Sequence, residues 1–255
     1  MCKIRKSYKT PWSKQQGGHI IVIWEIISNL IGMGFGVAIT KIYEYIKFRR
    51  PLRKFWRKFL KEGCAVIVPS VPESYSEASL LGGVSDLRAQ AEIAGTLSSL
   101  NPQKEIRCLE ARFAAPWLSG NLVLIGGPIT NSVTRRFIQE FKRNGRLLFD
   151  FQNHDLCIYV GEERHRWMAE WNSEGDITLD YGLIYRGSNP YDERYEIIIL
   201  AGCHGFGTYG AAKAVLKPEI VNELAGRELI AVIKIHVYEG IPQTPILVFS
   251  YILKR

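Results

Sequence analysis

Two segments constrain the fold of this chain more than any others: LVLIGGPITN at residues 122–131 and IILAGCHGFGTYGAAK at residues 198–213. Each passes from an apolar strand through glycines into a helix. In open α/β sheets such junctions sit at the carboxyl ends of strands, where helix N-termini present unpaired N–H groups and a positive dipole end to an anion. Two of them in one chain predict an α/β sheet with a ligand site at one edge.

The rest of the C-terminal part alternates in the same way. Ala65 to Val68 predicts a strand, and Ser85 to Leu100 a helix with Leu87, Ala91, Ala94 and Leu97 on one face and Ser85 or Asp86 at its cap. Glu105 to Leu109 and Leu122 to Ile125 predict strands, followed by a helix from Ser132 to Arg143. Arg146 to Phe149, Leu156 to Val160 and Thr178 to Tyr185 predict an antiparallel insertion. Ile197 to Leu200 leads into an alanine-rich helix, Tyr209 to Leu216, then a short helix from Pro218. Ile230 to Tyr238 and Ile246 to Tyr251 close the chain as strands. The expected fold class is α/β: a Rossmann-like, mostly parallel sheet with helices on both faces and an antiparallel insertion.

The first 62 residues read differently. Residues 20–39, IIVIWEIISNLIGMGFGVAI, have the length and apolarity of one transmembrane helix, although Glu25 lies within them. Fourteen Lys and Arg against two acids surround this stretch through residue 61, leaving nineteen against twenty-three beyond it. The richer basic flank follows the span, so the expectation is a single-pass membrane protein with its C-terminal domain in the cytoplasm. Residues 41–62 interleave basic side chains with Phe48, Leu52, Phe55, Trp56, Phe59 and Leu60, as a helix lying on membrane lipid would. The expected divisions are a basic tail at 1–19, the span at 20–40, a juxtamembrane helix at 41–62 and the α/β domain at 63–255. Gly32 and Gly36 form a GxxxG pair through which two spans can associate as a homo-oligomer.

With the basic excess confined to the N-terminal part, the α/β domain is slightly acidic and offers no general attraction for nucleic acid. The five cysteines are scattered, with no CxxC pair and no metal-ligand spacing, which fits free thiols in a reducing compartment. No metal site is expected.

The expected ligand residues are Gly126, Gly127 and Asn131 at the first junction and His204, Gly205, Gly207 and Thr208 at the second. A third set is Gly82, Gly83, Asp86 and Arg88 in LGGVSDLRAQ. His204 is the one histidine placed for acid/base or ligand contact; His154, His165 and His236 read as structural. No Walker lysine motif, zinc-binding helix or nucleophile elbow occurs, so no catalytic residue is assigned.

The order strand, GGP, helix, then strand, GxGT, helix resembles the SLOG superfamily of Rossmann-like domains. The similarity spans residues 64–240 in order of elements and rests on Gly126, Gly127, Gly205, Gly207 and Thr208 in detail. The resemblance implies a nucleotide-sensing module of the kind found in bacterial defence systems, often coupled to membrane helices, or a phosphoribohydrolase acting on nucleoside monophosphates. In the phosphoribohydrolases a catalytic Glu closely follows PGGxGT. Here Tyr209, Gly210, Ala211, Ala212 and Lys213 follow Thr208 without an acid, which favours the sensor.

Three readings follow for function. The first is a membrane-tethered module binding a phosphate-bearing small molecule, a nucleotide or a derivative of one. The second is a nucleotide-processing hydrolase or transferase using His204 with Asp86 or Glu92. The third is a membrane scaffold whose α/β domain binds no ligand. Convergence of the glycine loops on one cleft separates the first two from the third, and a carboxylate inside that cleft favours the second.

Overall fold

The computed structural model describes residues 36–70, 77–145, 148–224 and 228–253, with the backbone alone for residues 77–82. The chain divides into two compact units, Met1–Lys47 and Phe48–Arg255. In the first unit, residues 36–44 are helical and exposed to solvent.

The expectation of a membrane span is corrected here. Residues 1–35, with Glu25 and Gly32, lie outside the described residues. Among the described residues no helix is long and apolar enough to cross a membrane. The described helix meets Lys41 five residues after Gly36, and Glu44 and Lys47 follow. A bilayer core requires about 20 mostly apolar residues, and each charge at its centre costs about 3 kcal/mol. The transmembrane element of the expected fold class and the single-pass membrane localisation are overturned with it.

In the second unit the basic, aromatic stretch is core. Helix α1 (Arg50–Phe55) starts with Pro51 in its first turn and ends at Trp56, which also precedes helix α2 (Arg57–Glu62). Phe55, Trp56 and Phe59 are completely buried. The indole of Trp56 meets Phe55 and Phe59 edge-on, at 5.1 and 5.4 Å between centroids, and its Nε1 donates to Val215 O at 3.1 Å. Phe55, Trp56, Phe59 and Leu60 of the face expected against lipid therefore pack inside the protein, while Phe48 is exposed, and the compact unit begins at Phe48, ahead of the expected start at residue 63.

The central sheet contains β1 (Cys64–Val68), β2 (Ile106–Glu110), β3 (Leu122–Ile125) and β9 (Glu196–Gly202) in the parallel order β2-β1-β3-β9. Beyond β9 the pairing is antiparallel, through β8 (Ile177–Ser188) and β10 (Leu229–Tyr238) to β12 (Ile246–Ile252). Two short strands, β7 (Glu170–Trp171) and β11 (Ile241–Pro242), pair with β8 and β10. The sheet is thus mixed, with a parallel half and an antiparallel half.

Successive residues of each strand enter opposite cores, as the two-residue period of a strand requires. Val66, Val123, Ile198 and Ala231 face helices α1 and α2 with α3 (Glu77–Leu100), α5 (Gly205–Ala214) and α6 (Pro218–Leu224). Ala65, Leu122, Ile197 and Ile230 face α4 (Ser132–Arg143) and a separate three-stranded antiparallel sheet of β4 (Phe149–Gln152), β5 (Asp155–Val160) and β6 (Glu163–Trp167). The expected antiparallel insertion is this small sheet. Residues 178–185 do not belong to it; they run inside β8, whose Leu183 and Ile184 are buried on both faces of the main sheet.

Candidate functional site

β1 leads to β2 on one side and, after it, to β3 on the other, so the direction of winding reverses between β1 and β3. At such a switch point the loops leaving the strand ends part and open a crevice. A cleft of about 820 Å³ lies there, formed by the start of the buried part of α3, the β3–α4 loop and the β9–α5 loop. The β4–β5 hairpin and the β7–β8 turn complete its wall through Phe151, His154 and Trp171.

Six of the expected ligand residues line the cleft: Asp86, Arg88, Gly127, His204, Gly205 and Thr208. The others do not line it. Asn131 is completely buried, and its Oδ1 accepts from the amides of Val133 and Thr134 as the N-cap of α4. Its Nδ2 donates to Ile67 O and Ile125 O, tying the ends of β1 and β3 together. Gly126 has φ of 96°, and a Cβ there would press on the Pro69 ring at 2.9 Å. Gly82 and Gly83 lie within α3, which begins at Glu77, well before the predicted cap at Ser85 or Asp86.

Gly207 is explained by close packing. A side chain on it would collide with Tyr181 O, and one on Gly182 or Gly202 would collide with the first turn of α5. This close approach places the α5 N-terminus over Asp180 of β8. The Asp180 carboxylate is fully buried and accepts from the amides of Gly207 at 2.6 Å, Tyr181 at 2.8 Å and His204 at 3.3 Å. Burial pushes its pKa up to about 7 against the pull of those amides. The sequence reading missed Asp180; the available signal is a single carboxylate in the otherwise apolar strand ITLDYGLIY.

Asp180 takes two of the amides that the glycine loop was expected to offer a ligand, those of His204 and Gly207. The amides of Gly205 and Phe206, at the first two positions of α5, have no intrahelical acceptor by helix geometry, and both residues line the cleft. Thr208 is 3% exposed and its hydroxyl lies 3.5 Å from His204 O. The β3–α4 loop is braced by Arg135, whose guanidinium donates to Pro128 O at 2.6 Å and Ile129 O at 2.9 Å.

An aromatic wall stands opposite. The His204 imidazole stacks on His154, with centroids 5.0 Å apart and planes 11° from parallel, and meets the edge of Trp171 at 5.0 Å. His154 and Asn153 form the two-residue turn between β4 and β5 with φ of 69° and 51°, the left-handed geometry of a type I′ hairpin. Asn tolerates this region and His does so at a cost, so the hairpin holds His154 in a strained conformation against His204. Burial, followed by repulsion from His154, lowers the His204 pKa below its ordinary value. His154 reads as structural in the sequence and Trp171 is not singled out there; both meet His204 through contacts between segments far apart in the chain.

The cleft also holds Asp86. It is 5% exposed, and burial pushes its pKa up to about 7. Next to it the Tyr209 hydroxyl donates to Glu92 at 2.6 Å, and the Arg88 guanidinium lies over the Tyr209 ring at 5.2 Å. Cys203 is no nucleophile: burial, with the nearby Asp180 charge, raises its thiol to about 12. Among the described residues no group of three or more His, Cys, Asp or Glu is placed to hold a metal ion. No family model matches the chain, and no curated protein is detectably similar to it.

Proposed function

We propose that this cleft binds a nucleotide or a nucleotide-derived molecule, and that the α/β domain is a binding or sensing module for it. The observation that carries the reading is the convergence of the α3, β3–α4 and β9–α5 segments on one cleft at the switch point, faced by an aromatic wall. His154, Trp171 and Phe151 offer flat surfaces to a base. The Gly205 and Phe206 amides, the α5 dipole and the Arg88 guanidinium offer contacts to phosphate. Because Asp180 occupies the Gly207 amide, the phosphate cradle is smaller than a P-loop, and the base supplies more of the binding. The resemblance to SLOG domains points to the same ligand class.

Calorimetric titration of the chain with a panel of nucleoside mono-, di- and triphosphates tests the reading. Micromolar or tighter binding of at least one is expected, and Arg88→Ala is expected to weaken it by about tenfold through loss of a charged hydrogen bond. A folded protein that binds none overturns it. A second reading, a nucleotide-processing hydrolase or transferase, draws support from Asp86 sharing the cleft with His204. Chromatography of nucleotides after long incubation distinguishes the two, since a sensor returns its ligand unchanged.

A further inference from the structure

The buried stripe of α3 is Asp86, Ala89, Ile93, Leu97 and Leu100, at the spacing of one helix face. Four of the five are apolar and pack on α5 and the sheet. Asp86 is the N-terminal member of that stripe among the described side chains, and it lines the cleft. Buried carboxylates are ordinarily paired or hydrogen-bonded, because desolvating one without a partner costs several kcal/mol. Among the described residues the Asp86 carboxylate accepts no hydrogen bond, its oxygens are not among the buried polar atoms left without a partner and so open on the cleft, and burial of the rest of the side chain accounts for its raised proton affinity. Asp180, at comparable burial, accepts three. An apolar residue in place of Asp86 would continue the core; the carboxylate instead opens on the cleft with no protein donor among the described residues, which leaves both oxygens free to accept from a ligand.

The walls around it narrow the class of donor. Val84, Ile129 and Trp171 line the cleft with about half of each side chain exposed, at 52, 54 and 52%. Flat apolar walls suit the faces of a heterocyclic base better than a polyhydroxylated sugar. Of the common bases, guanine alone presents two adjacent N–H donors, N1–H and the N2 amino group, to a single carboxylate. Adenine and cytosine place an acceptor beside their amino group, and uracil has one N–H between two acceptors. A carboxylate meeting two parallel donors makes the strong, bidentate form of charged hydrogen bond.

We propose that Asp86 is the specificity-determining residue of the cleft and selects a guanine nucleotide by accepting from N1–H and the 2-amino group. The inference rests on the nucleotide reading given above. Its test is calorimetric titration of wild type and Asp86→Asn with GMP, IMP, AMP and 2′-deoxy-GMP, with thermal unfolding of both proteins as the check on folding. Wild type is expected to bind GMP about 10- to 100-fold tighter than AMP, with IMP between them because it lacks the 2-amino group. Deoxy-GMP should match GMP. In Asp86→Asn the preference for GMP should collapse while AMP affinity changes little. Equal binding of GMP and AMP by wild type, or a preference that survives in Asp86→Asn, overturns the role of Asp86 while leaving nucleotide binding intact. Loss of affinity on removing the 2′-hydroxyl, with GMP and AMP alike, assigns the donor to ribose and also overturns it. Failure of all four nucleotides overturns the nucleotide reading itself.

Discussion

The carboxylate of Asp180 on β8 accepts the amide of Gly207 at 2.6 Å, so the first turn of α5 is capped by a side chain 27 residues away. The same group holds the His204 amide. Asp180→Ala leaves these amides buried without acceptors and should lower stability by about 1–3 kcal/mol. Asp180→Asn keeps an acceptor oxygen and removes a buried charge, so its loss should be smaller. Urea denaturation of the three proteins checks this, and an unchanged midpoint in Asp180→Ala would remove the cap from the account.

Asp86 and Asp180 both have pKa values pushed from 3.8 up to about 7, chiefly by burial. The folded state therefore holds these protons more tightly than the unfolded chain does. Their contribution to stability is fully present below about pH 4 and is lost as pH rises through 7. For Asp86 this is worth a few kcal/mol at most, since each tenfold change in proton affinity corresponds to about 1.4 kcal/mol. Asp86→Asn cannot titrate, so its stability should come nearest to wild type at about pH 4 and exceed it increasingly up to about pH 8. Urea midpoints at both values measure the gap, and a gap that does not change with pH would contradict the raised proton affinity of Asp86.

The glycine junctions and apolar runs were enough to place β3, α4, β9 and α5 in order, because strand-glycine-helix transitions are local and depend on backbone geometry. Asn131, expected as a ligand residue, instead caps α4 from its position before Ser132. Three further features were not readable in the sequence. Gly82-Gly83 reads as a break, yet α3 runs through both, since tertiary packing of the Ala89–Ile93–Leu97 face outweighs about 1 kcal/mol of propensity per glycine. Phe55, Trp56 and Phe59 among basic residues fit a lipid face or a protein core equally well, because periodicity cannot say what a face meets. Asp180 and His154 act through contacts far apart in sequence, and no spacing rule links them to α5.

His154→Gly removes the ring stacked on His204 and places glycine at φ of 69°, which it adopts freely. The left-handed conformation costs a non-glycine residue about 1–2 kcal/mol. Relief of that cost should offset the lost stacking, leaving unfolding temperature nearly unchanged, while nucleotide affinity falls. Repulsion from His154 is the second cause of the lowered His204 pKa, after burial. Without it, the His204 pKa should move part of the way back toward 6.5, as followed by NMR titration of the ring protons. A marked loss of stability with unchanged affinity would make the stack a structural contact only.

Trp56 provides the sharpest contrast between a membrane-surface segment and a core element. Its side chain is fully buried, wedged between Phe55 and Phe59, with its Nε1 hydrogen bond ending on Val215 O at the close of α5. An indole on a membrane surface contributes nothing to the folding of a domain in solution, whereas a buried one fixes α1 and α2 to the helices beneath them. Trp56→Ala should therefore cost about 3–5 kcal/mol of stability, the range for emptying a large aromatic site. Trp56→Phe, which keeps most of the volume and loses the hydrogen bond, should cost less. A chain beginning at Gly63 lacks Phe55, Trp56, Phe59 and Leu60 together and uncovers the apolar faces of Val215, Val221 and Leu224. It should lose cooperative unfolding, while a chain beginning at Phe48 retains it. Thermal denaturation followed by near-ultraviolet circular dichroism decides between them: a sharp transition in the chain from Gly63, at the same temperature as in the chain from Phe48, would show that the aromatic segment is not part of the core.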